Sequence, residues 1–585
     1  MVGCKKHGRH EAEVIAGTNA MDNESPTFSE TMARLDATGD VAGLVQHVCS
    51  RPFNLAEVLT VMQQFLGRAR LRSAFVLAML LAKNGYQHWL VSVALSFGGL
   101  IYNRPEEEAR GMALLQAQMD ALPSPQQEQI YLSVLNPVMI RIIEQHLVNK
   151  PGETPPANTV TNPVMARMVE HHLANKSKTC ENRPLSAEEW WRLLEICKAT
   201  IPPYRTWFDW QAPVPVLTLE TLRQQGRARA QLIRYPLPAA DAPRPRRRVV
   251  VFMRDFYIPR RIAVGMEAYG WDVAFHGTPG WSMSAEDIRA VLERCRQQDI
   301  ELLALHFDQI LGKQAQAIYE LLLTLRQEKP SLKIVVTTCD IWALRKDMIN
   351  DAPDRTSSPF ANRLITLFDA IWASDAPSLS ALEKPPFAGR ALHLHIPHAG
   401  TASLPDRPLV PRMLYIGSEV EVRYSRKFFL MTAERLGLPV EQKDHFFVPS
   451  KNLAPLELLI PEGLSSLDSY ARHMQRLQEA TCCLHFSRTG ELYCMRHGMV
   501  THRSFEVPLS GALLVQEFAT DMSRFFVPGE HYLEFNSVAE LAAIARFITE
   551  RPEEAEEIRR SGNAFAREHY GDDKLIGYLD KFLWP

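Results

Sequence analysis

The size and composition of the chain limit what it can be. Its 585 residues are too many for one hydrophobic core, so we expect roughly two to four domains. An apolar fraction of 46% and a charged fraction of 23% are ordinary for a globular protein and exclude a collagen-like, wholly disordered or small disulfide-linked chain. With 65 Lys and Arg against 67 Asp and Glu, the formal charge of -2 gives no electrostatic argument for nucleic acid or an anionic membrane as a partner.

Cysteine usage and apolar stretches indicate the compartment. The nine cysteines are odd in number and form no C-x-x-C pair, so we expect reduced thiols in a cytoplasmic protein. The first residues are charged and lack the apolar run of a signal peptide. The most apolar stretch, from Trp89 to Tyr102, is shorter than the ~20 residues that cross a bilayer. We therefore expect a buried helix there and no integral membrane segment.

The first third of the chain has a helical pattern. After a loose polar tail at 1–28, apolar residues recur three and four apart throughout 29–201, which predicts an all-helical domain. The letters SAEE at 186–189 are a capping-box signature for one of its helices. One segment is repeated: NPVMIRIIEQHLVNK at 136–150 returns as NPVMARMVEHHLANK at 162–176. Two copies are too few for a solenoid, so we interpret them as a duplicated amphipathic helix, with a partner-docking helix pair as the alternative.

The pattern changes after a Pro-rich linker predicted at 202–247. Within 248–400, short β-branched runs alternate with helical segments. The runs lie at 249–255, 271–277, 300–308, 333–340, 370–375 and 391–397. Because parallel strands need crossover helices, this alternation predicts a Rossmann-like domain with a parallel sheet covered on both faces.

The same alternation restarts at 411–585 and predicts a second Rossmann-like domain. Its strands are expected at 413–418, 440–447, 482–487 and 512–517. The sequence therefore predicts an α/β fold in which two doubly wound domains face each other across a cleft, preceded by an all-α domain.

Several common nucleotide-binding motifs are absent from the sequence. It contains no Walker A loop, no G-x-G-x-x-G after a strand and no Asp-x-Asp. These absences argue against a P-loop NTPase, an ordinary dinucleotide dehydrogenase and a metal-dependent single-Rossmann transferase. We expect no metal ion and no bound cofactor.

The segment THRSFEVPLSGALLVQE, at 501–517, offers a site for a nucleoside diphosphate. A strand leads through a loop into a helix that carries Arg503 and Glu506 near its start. Free N–H groups and the positive helix end suit a pyrophosphate, and Arg503 adds charge-assisted contacts. Glu506 can accept both hydroxyls of a ribose. The alternatives are a helix-start acid for Glu506 and a surface salt bridge for Arg503.

The same segment resembles a motif of a known protein family. RSFEVPLSGALLVQE resembles the nucleotide-sugar motif of GT-B glycosyltransferases, closest to the spore-maturation-protein-like (CgeB-like) group of the glycogen-synthase-like class. MLYIGSEVEVRYSRKFFLMTAERLGL, at 413–438, resembles the opening of that group's C-terminal domain, and the segment from FFVPGEHY to REHY resembles its closing tail. The resemblance covers about 410–583 well, covers 248–400 by pattern only, and leaves out the helical domain.

The resemblance implies roles for individual residues. Glu506 matches the carboxylate that holds the donor ribose. Gly417, Ser418 and Arg423 match a loop near the donor phosphates. His306 ends a predicted strand where many relatives place a histidine that faces the transferred sugar; the alternative is a strand-end histidine with a structural partner.

One departure from the family pattern bears on the reaction. Gly498 stands where retaining members carry a second glutamate, eight residues before the ribose-binding one. An inverting enzyme would need a base near the acceptor, and His306, Asp308 and Asp340 are the candidates. Asp340, like Asp375, ends a predicted strand and has helix capping as its alternative role.

Taken with the resemblance, these residues predict a cytoplasmic, metal-independent glycosyltransferase. It would move a hexose-like unit from a nucleoside-diphosphate sugar to an acceptor. The extra helical domain suggests a protein acceptor. The alternatives are an inactive GT-B scaffold, for which the missing glutamate argues, and a nucleotide-sugar epimerase of the same shape.

Overall fold

A computed structural model describes most of the chain. The described residues are 26–50, 54–68, 70–123, 126–127, 130, 134–135, 138–139, 185–213, 216–233, 235, 244–254, 257–278, 284–310, 314–338, 361–374, 382–385, 387–398, 404, 407–417, 424–444, 466–487 and 498–585. Of the repeat at 136–150 and 162–176, only Val138 and Met139 belong to this set.

The described part of the first 210 residues is helical. Its helices are α1 (Phe28–Thr38), α2 (Val41–Cys49), α3 (Leu55–Gly67), α4 (Leu71–Lys83), α5 (Trp89–Ile101), α6 (Pro105–Asp120), α7 (Ala187–Thr200) and α8 (Pro202–Trp207). The predicted capping box is present at α7, where Ser186 and Glu189 bond each other's backbone N–H. Helix α5 packs between α4 and α6 and is the predicted buried helix. No helix in the described ranges is long and apolar enough to span a membrane.

The next lobe contains a parallel sheet. Within the described residues its six strands run in the order β2-β1-β3-β4-β5-β6. The strands are β1 (Arg248–Arg254), β2 (Asp272–Thr278), β3 (Leu302–His306), β4 (Lys333–Thr338), β5 (Ala370–Ala373) and β6 (Ala391–His393). Helix α9 (Leu219–Arg229) precedes the sheet, and α10 (Tyr257–Tyr269), α11 (Ala285–Gln297), α12 (Phe307–Ile310), α13 (Ala315–Glu328) and α14 (Ala361–Ile365) connect its strands.

The last lobe has a second parallel sheet. Its five described strands run in the order β11-β10-β9-β7-β8. They are β7 (Met413–Gly417), β8 (Val440–Asp444), β9 (Cys482–His485), β10 (Leu513–Glu517) and β11 (Leu533–Phe535). The helices are α15 (Tyr424–Arg435), α16 (Ser466–Ala480), α17 (Arg503–Ser510), α18 (Val538–Glu550), α19 (Pro552–Tyr570) and α20 (Asp572–Leu583), with a 3₁₀ turn at Met522–Arg524.

The C-terminal helix returns to the first sheet's lobe. Helix α20 packs against α10, and Arg247, just before β1, pairs with Asp580 at 3.2 Å between Nε and Oδ1. At the start of α20, Asp572 accepts a hydrogen bond from the backbone N–H of His398. Two doubly wound lobes linked in this way form the predicted α/β GT-B fold, preceded by a helical region.

The helical region shares a core with the last lobe. Trp207 is fully buried, and its ring lies 5.1 Å from that of Phe429 on α15. Phe208 packs edge-on to Phe428 at 5.0 Å, and Trp190 lies 4.9 Å from the same ring. These aromatic side chains belong to the same core cluster as residues of the second sheet, so the helical region and the last lobe, called the donor-side lobe below, share one hydrophobic core.

The range predicted as a Pro-rich linker contains helices α8 and α9. Helix α9 lies against the last lobe and forms three ion pairs with it: Arg223–Glu557, Arg227–Glu530 and Arg229–Glu534. A Cβ added to Gly226 would lie 1.7 Å from the carbonyl oxygen of Pro528. The sequence pattern missed α9 because the ion pairs that anchor it depend on partners about 300 residues away.

Candidate functional site

The predicted donor segment lies at the carboxyl edge of the second sheet. Helix α17 begins at Arg503, and the Arg503 guanidinium donates a hydrogen bond to the carbonyl oxygen of Ile416 near the end of β7. Gly417 is the next residue of that strand. The fold thus brings together two segments that are about 90 residues apart and that the resemblance had linked.

Glu506 is buried in the first turn of α17. Its side chain is 1% exposed, so its charge needs partners. Nε2 of His473, on α16, lies 3.4 Å from Oε2 of Glu506. Nε of Arg503 lies 3.7 Å from the same oxygen. The carboxylate is therefore held from two sides.

Nearby groups keep Glu506 ionised. Burial raises the pKa of Glu506, but His502 and the hydrogen bond from His473 outweigh it, so the net pKa is well below the usual value. Burial lowers the pKa of His473, against the opposing pull of Glu506. A neutral His473 that donates through Nε2 leaves a carboxylate able to accept hydroxyl groups.

Helix α17 is a rigid support for this carboxylate. All of its residues from Ser504 to Ser510 are buried. The helix ends at Gly511, whose φ of 84° is left-handed and suits glycine. The Asn563 side chain on α19 donates to the carbonyl oxygen of Pro508 at 2.7 Å. Such a helix start can keep a ligand-binding side chain in one place.

The sequence analysis missed two further side chains near this edge, His485 and Arg426. Burial lowers the pKa of His485, at the end of β9, and the charges of Arg503 and Arg426 lower it further. Nε2 of His485 lies 2.9 Å from Oγ1 of Thr501, just before α17. Arg426 is buried on α15 and was overlooked because the family pattern directed attention to Arg423.

The site adjoins the junction of the two lobes. The ring of His395, after β6, stacks on Phe505 of α17 at 4.6 Å, and Nε2 of His393 lies 3.2 Å from the carbonyl oxygen of Val500. Burial lowers the pKa of His398 to about 3, while the charge of Glu506 opposes this shift. Glu506 thus lies at the interface between the lobes and away from the outer surface.

The candidate His306 has its described partner in its own lobe. It is buried at the end of β3, and its Nδ1 lies 2.9 Å from Oγ1 of Thr337 at the end of β4. Burial lowers the pKa of His306 to about 4, and the Thr337 contact opposes this shift. The side chain is neutral near pH 7. This geometry fits the alternative of a strand-end histidine with a structural partner. The neutral form is also the one that a base needs in order to accept a proton.

Other predicted residues lie outside the described part of the chain. Ser418, Arg423, Asp340 and Asp375 are in undescribed segments, and the side chain of Asp308 is not described. Their assigned roles stay predictions. Among the described residues, no group of three or more His, Cys, Asp or Glu side chains could hold a metal ion.

The position of the missing glutamate has no room for a side chain. Gly498 has a φ of 67°, and a Cβ built on it would lie 2.3 Å from the carbonyl oxygen of Phe518 and 2.6 Å from Oγ of Ser487. The carboxylate of Glu517 also lies close to Ser487: it is fully buried and accepts a hydrogen bond from the backbone N–H of Ser487 at 3.1 Å. The chain therefore departs from the family pattern here for a steric reason.

We expect Gly498→Ala to destabilise the protein by about 3–5 kcal/mol, because left-handed strain and a clash with backbone add together. Gly437→Ala is the matched control. Gly437 has a similar φ of 74°, but a Cβ there meets nothing within 4 Å, so only the strain of about 1–2 kcal/mol should appear. Denaturant unfolding measures both variants. Equal losses would contradict the close approach at Gly498.

Comparisons with known proteins fit this geometry. A family model described as glycosyl transferase-like matches residues 464–575, which include His473, Arg503 and Glu506. This part of the chain is similar to the glycosyl transferase-like family. A comparison with curated proteins gave no match.

Solved structures of glycosyltransferases also align with the chain. Sucrose-phosphate synthase from Thermosynechococcus elongatus is 11% identical, with 58% of this chain and 99% of that chain covered at a TM-score of 0.33. Anabaena HepE, solved in complex with UDP and glucose, is 10% identical with the same coverage and a TM-score of 0.35. SnogD from Streptomyces nogalater is 14% identical, again with 58% and 99% covered, at a TM-score of 0.30. At these TM-scores the fold assignment rests on the sheet topology described above.

Proposed function

We propose that this protein is a glycosyltransferase that takes a hexose-like unit from a nucleoside-diphosphate sugar and transfers it to an acceptor. The observation that carries the proposal is the Glu506 carboxylate, which is buried at the start of α17 against His473 and Arg503, within the segment similar to glycosyl transferases and beside the lobe junction. Burial of a charge costs free energy unless pairing offsets it, and here His473 and Arg503 supply partners on one carboxylate oxygen, while the proposal assigns the other oxygen to the ligand.

The proposed donor site divides into a ribose part and a diphosphate part. Glu506 accepts hydrogen bonds from the two ribose hydroxyls. Arg503 and Arg426 supply positive charge for the diphosphate, together with the positive end of the α17 dipole. The backbone N–H groups of Ser504, Phe505 and Glu506 already donate to the carbonyl oxygens of Thr501 and His502, so the N–H groups that the sequence analysis expected to be free are not free there. The Arg503 side chain is 13% exposed, so it is more accessible than Glu506.

In this proposal catalysis consists of positioning and leaving-group stabilisation. The bond between the anomeric carbon and the diphosphate oxygen breaks, and the acceptor oxygen forms the new bond. The departing diphosphate takes up negative charge, which Arg503 and Arg426 stabilise without a metal ion. His306 and Asp340 remain the proposed groups on the other lobe, as candidates to receive the acceptor's proton if the reaction inverts.

The acceptor and the helical region remain part of the proposal. We retain a protein acceptor as the hypothesis, with the helical region as a contact surface. Deleting residues 1–200 would not test it cleanly, because the deletion would remove Trp190 from its contact with Phe428 on the donor-side lobe. Charge reversal at an exposed position of α6 such as Glu106 would leave that shared core intact.

A donor screen tests the proposed function. The full chain is incubated with UDP-, GDP-, ADP-, CDP- and dTDP-linked hexoses, and thermal stabilisation and release of the free nucleotide are measured. Mass spectrometry of host proteins co-purified after expression detects an added hexose mass. We expect stabilisation by one nucleotide class and donor-dependent hexose addition.

The alternatives give different results in the same screen. An inactive scaffold binds a nucleoside diphosphate but turns over no donor. An epimerase converts the donor sugar without releasing the nucleotide or needing an acceptor. Failure of every nucleotide to bind would contradict the proposed function.

A further inference from the structure

His473 is placed to control the Glu506 carboxylate from a different element. It lies on α16, which packs against α17 in its own lobe and against α10 in the other lobe. The side chain is 5% exposed. Contacts on both sides of α16 therefore fix where the imidazole can lie.

The contact is directed at one oxygen of Glu506. His473 Nε2 and Arg503 Nε approach Oε2 at 3.4 Å and 3.7 Å, from residues on two helices. One hydrogen bond and one ion pair to the same oxygen restrict the rotation of a carboxylate that would otherwise have a broad torsional range. The positive charge of Arg503 balances the negative charge of the carboxylate. The uncharged N–H of His473 sets the orientation of the carboxylate.

We infer that His473 is a positioning residue of the donor site, whose Nε2–H holds the Glu506 carboxylate in the orientation that accepts the ribose hydroxyls of a nucleoside diphosphate. This inference rests on the proposed function. Under this inference α16 takes part in recognition of the donor, in addition to the segment 501–517. It also identifies the ribose as the part of the donor that His473 affects.

Two substitutions separate orientation from packing. His473→Leu fills a similar volume without a donor, and His473→Gln places an amide N–H near the position of Nε2. The dissociation constants of UDP, GDP, ADP, CDP and dTDP are measured by calorimetry for the wild type, and the tightest ligand is compared with its 2′,3′-dideoxy analogue. Thermal unfolding of each variant checks that it folds.

We expect His473→Leu to raise the dissociation constant of the nucleoside diphosphate about 10-fold or more and to leave the dideoxy analogue within about threefold. The ratio of the dissociation constant of the dideoxy analogue to that of the nucleoside diphosphate should therefore fall. His473→Gln should stay within about threefold of the wild type for both ligands. A purely structural role would weaken both ligands equally in both variants.

The outcomes distinguish this inference from the function it rests on. If the wild type binds no nucleoside diphosphate, both the proposed function and the role of His473 are wrong. If the wild type binds one and His473→Leu keeps the same preference over the dideoxy analogue, only the role of His473 is wrong.

Discussion

Replacing Glu506 with glutamine is expected to weaken binding of the nucleoside diphosphate about 100-fold or more and to reduce sugar transfer at least as much. Two hydrogen bonds from ribose hydroxyls to a charged acceptor are each worth about 1.5–3 kcal/mol. Glutamine keeps the volume but loses the charge, and with its one oxygen towards His473 and Arg503 it presents to the ribose an amide N–H group, which cannot accept a hydrogen bond.

Glu534→Gln is the matched control for this prediction. Glu534 is a nearly buried carboxylate of the same lobe, on β11, and it accepts a hydrogen bond from Tyr532 at 3.0 Å and pairs with Arg229 at 2.7 Å. Its replacement should cost a comparable part of the free energy of unfolding but leave nucleotide affinity unchanged. Equal nucleotide affinity in Glu506→Gln and the wild type would remove Glu506 from the donor site.

Trp207→Ala is expected to destabilise the protein by about 3–5 kcal/mol. Trp207 is fully buried and lies between the helical region and the donor-side lobe, 5.1 Å from Phe429 and 6.3 Å from Phe486. Its removal leaves a cavity between two domains that the fold joins through one core. We therefore expect the helical region and the last lobe to unfold together at lower denaturant concentration.

Trp210→Ala provides the comparison for Trp207→Ala. Trp210 is partly exposed, and its ring packs against Trp191 at 4.7 Å within the helical region. Its removal should cost about 1–2 kcal/mol, because less apolar surface is lost from the core. Denaturant unfolding followed by tryptophan fluorescence and by circular dichroism measures both variants. A Trp207→Ala variant as stable as Trp210→Ala would contradict the shared core.

The alternation of strands and helices was predictable because it depends on local pattern. Strands such as β1 and β10 are short apolar runs between helical segments, and both were predicted to within one residue at each end. Strand β11 was missed because its three residues, Leu533–Phe535, are too few for a period-2 pattern. Its pairing with β10 depends on tertiary context.

The candidate site was predictable only where its residues share one segment. Arg503 and Glu506 lie one helical turn apart and belong to a recognisable motif. His473 is 33 residues away from Glu506, and nothing in the spacing connects them. The available signal was its place on the inward face of an amphipathic helix, beside Met474 and one turn before the buried Leu477. A histidine at such a position is equally typical of a core residue without a role in a site.

A crystal structure of the full chain with its tightest-binding nucleoside diphosphate tests the central claim most directly. We predict both ribose hydroxyls within hydrogen-bond distance of the Glu506 carboxylate, with the diphosphate beside Arg503 and the start of α17. A nucleotide bound elsewhere, with the Glu506 carboxylate still enclosed by His473 and Arg503, would contradict the account.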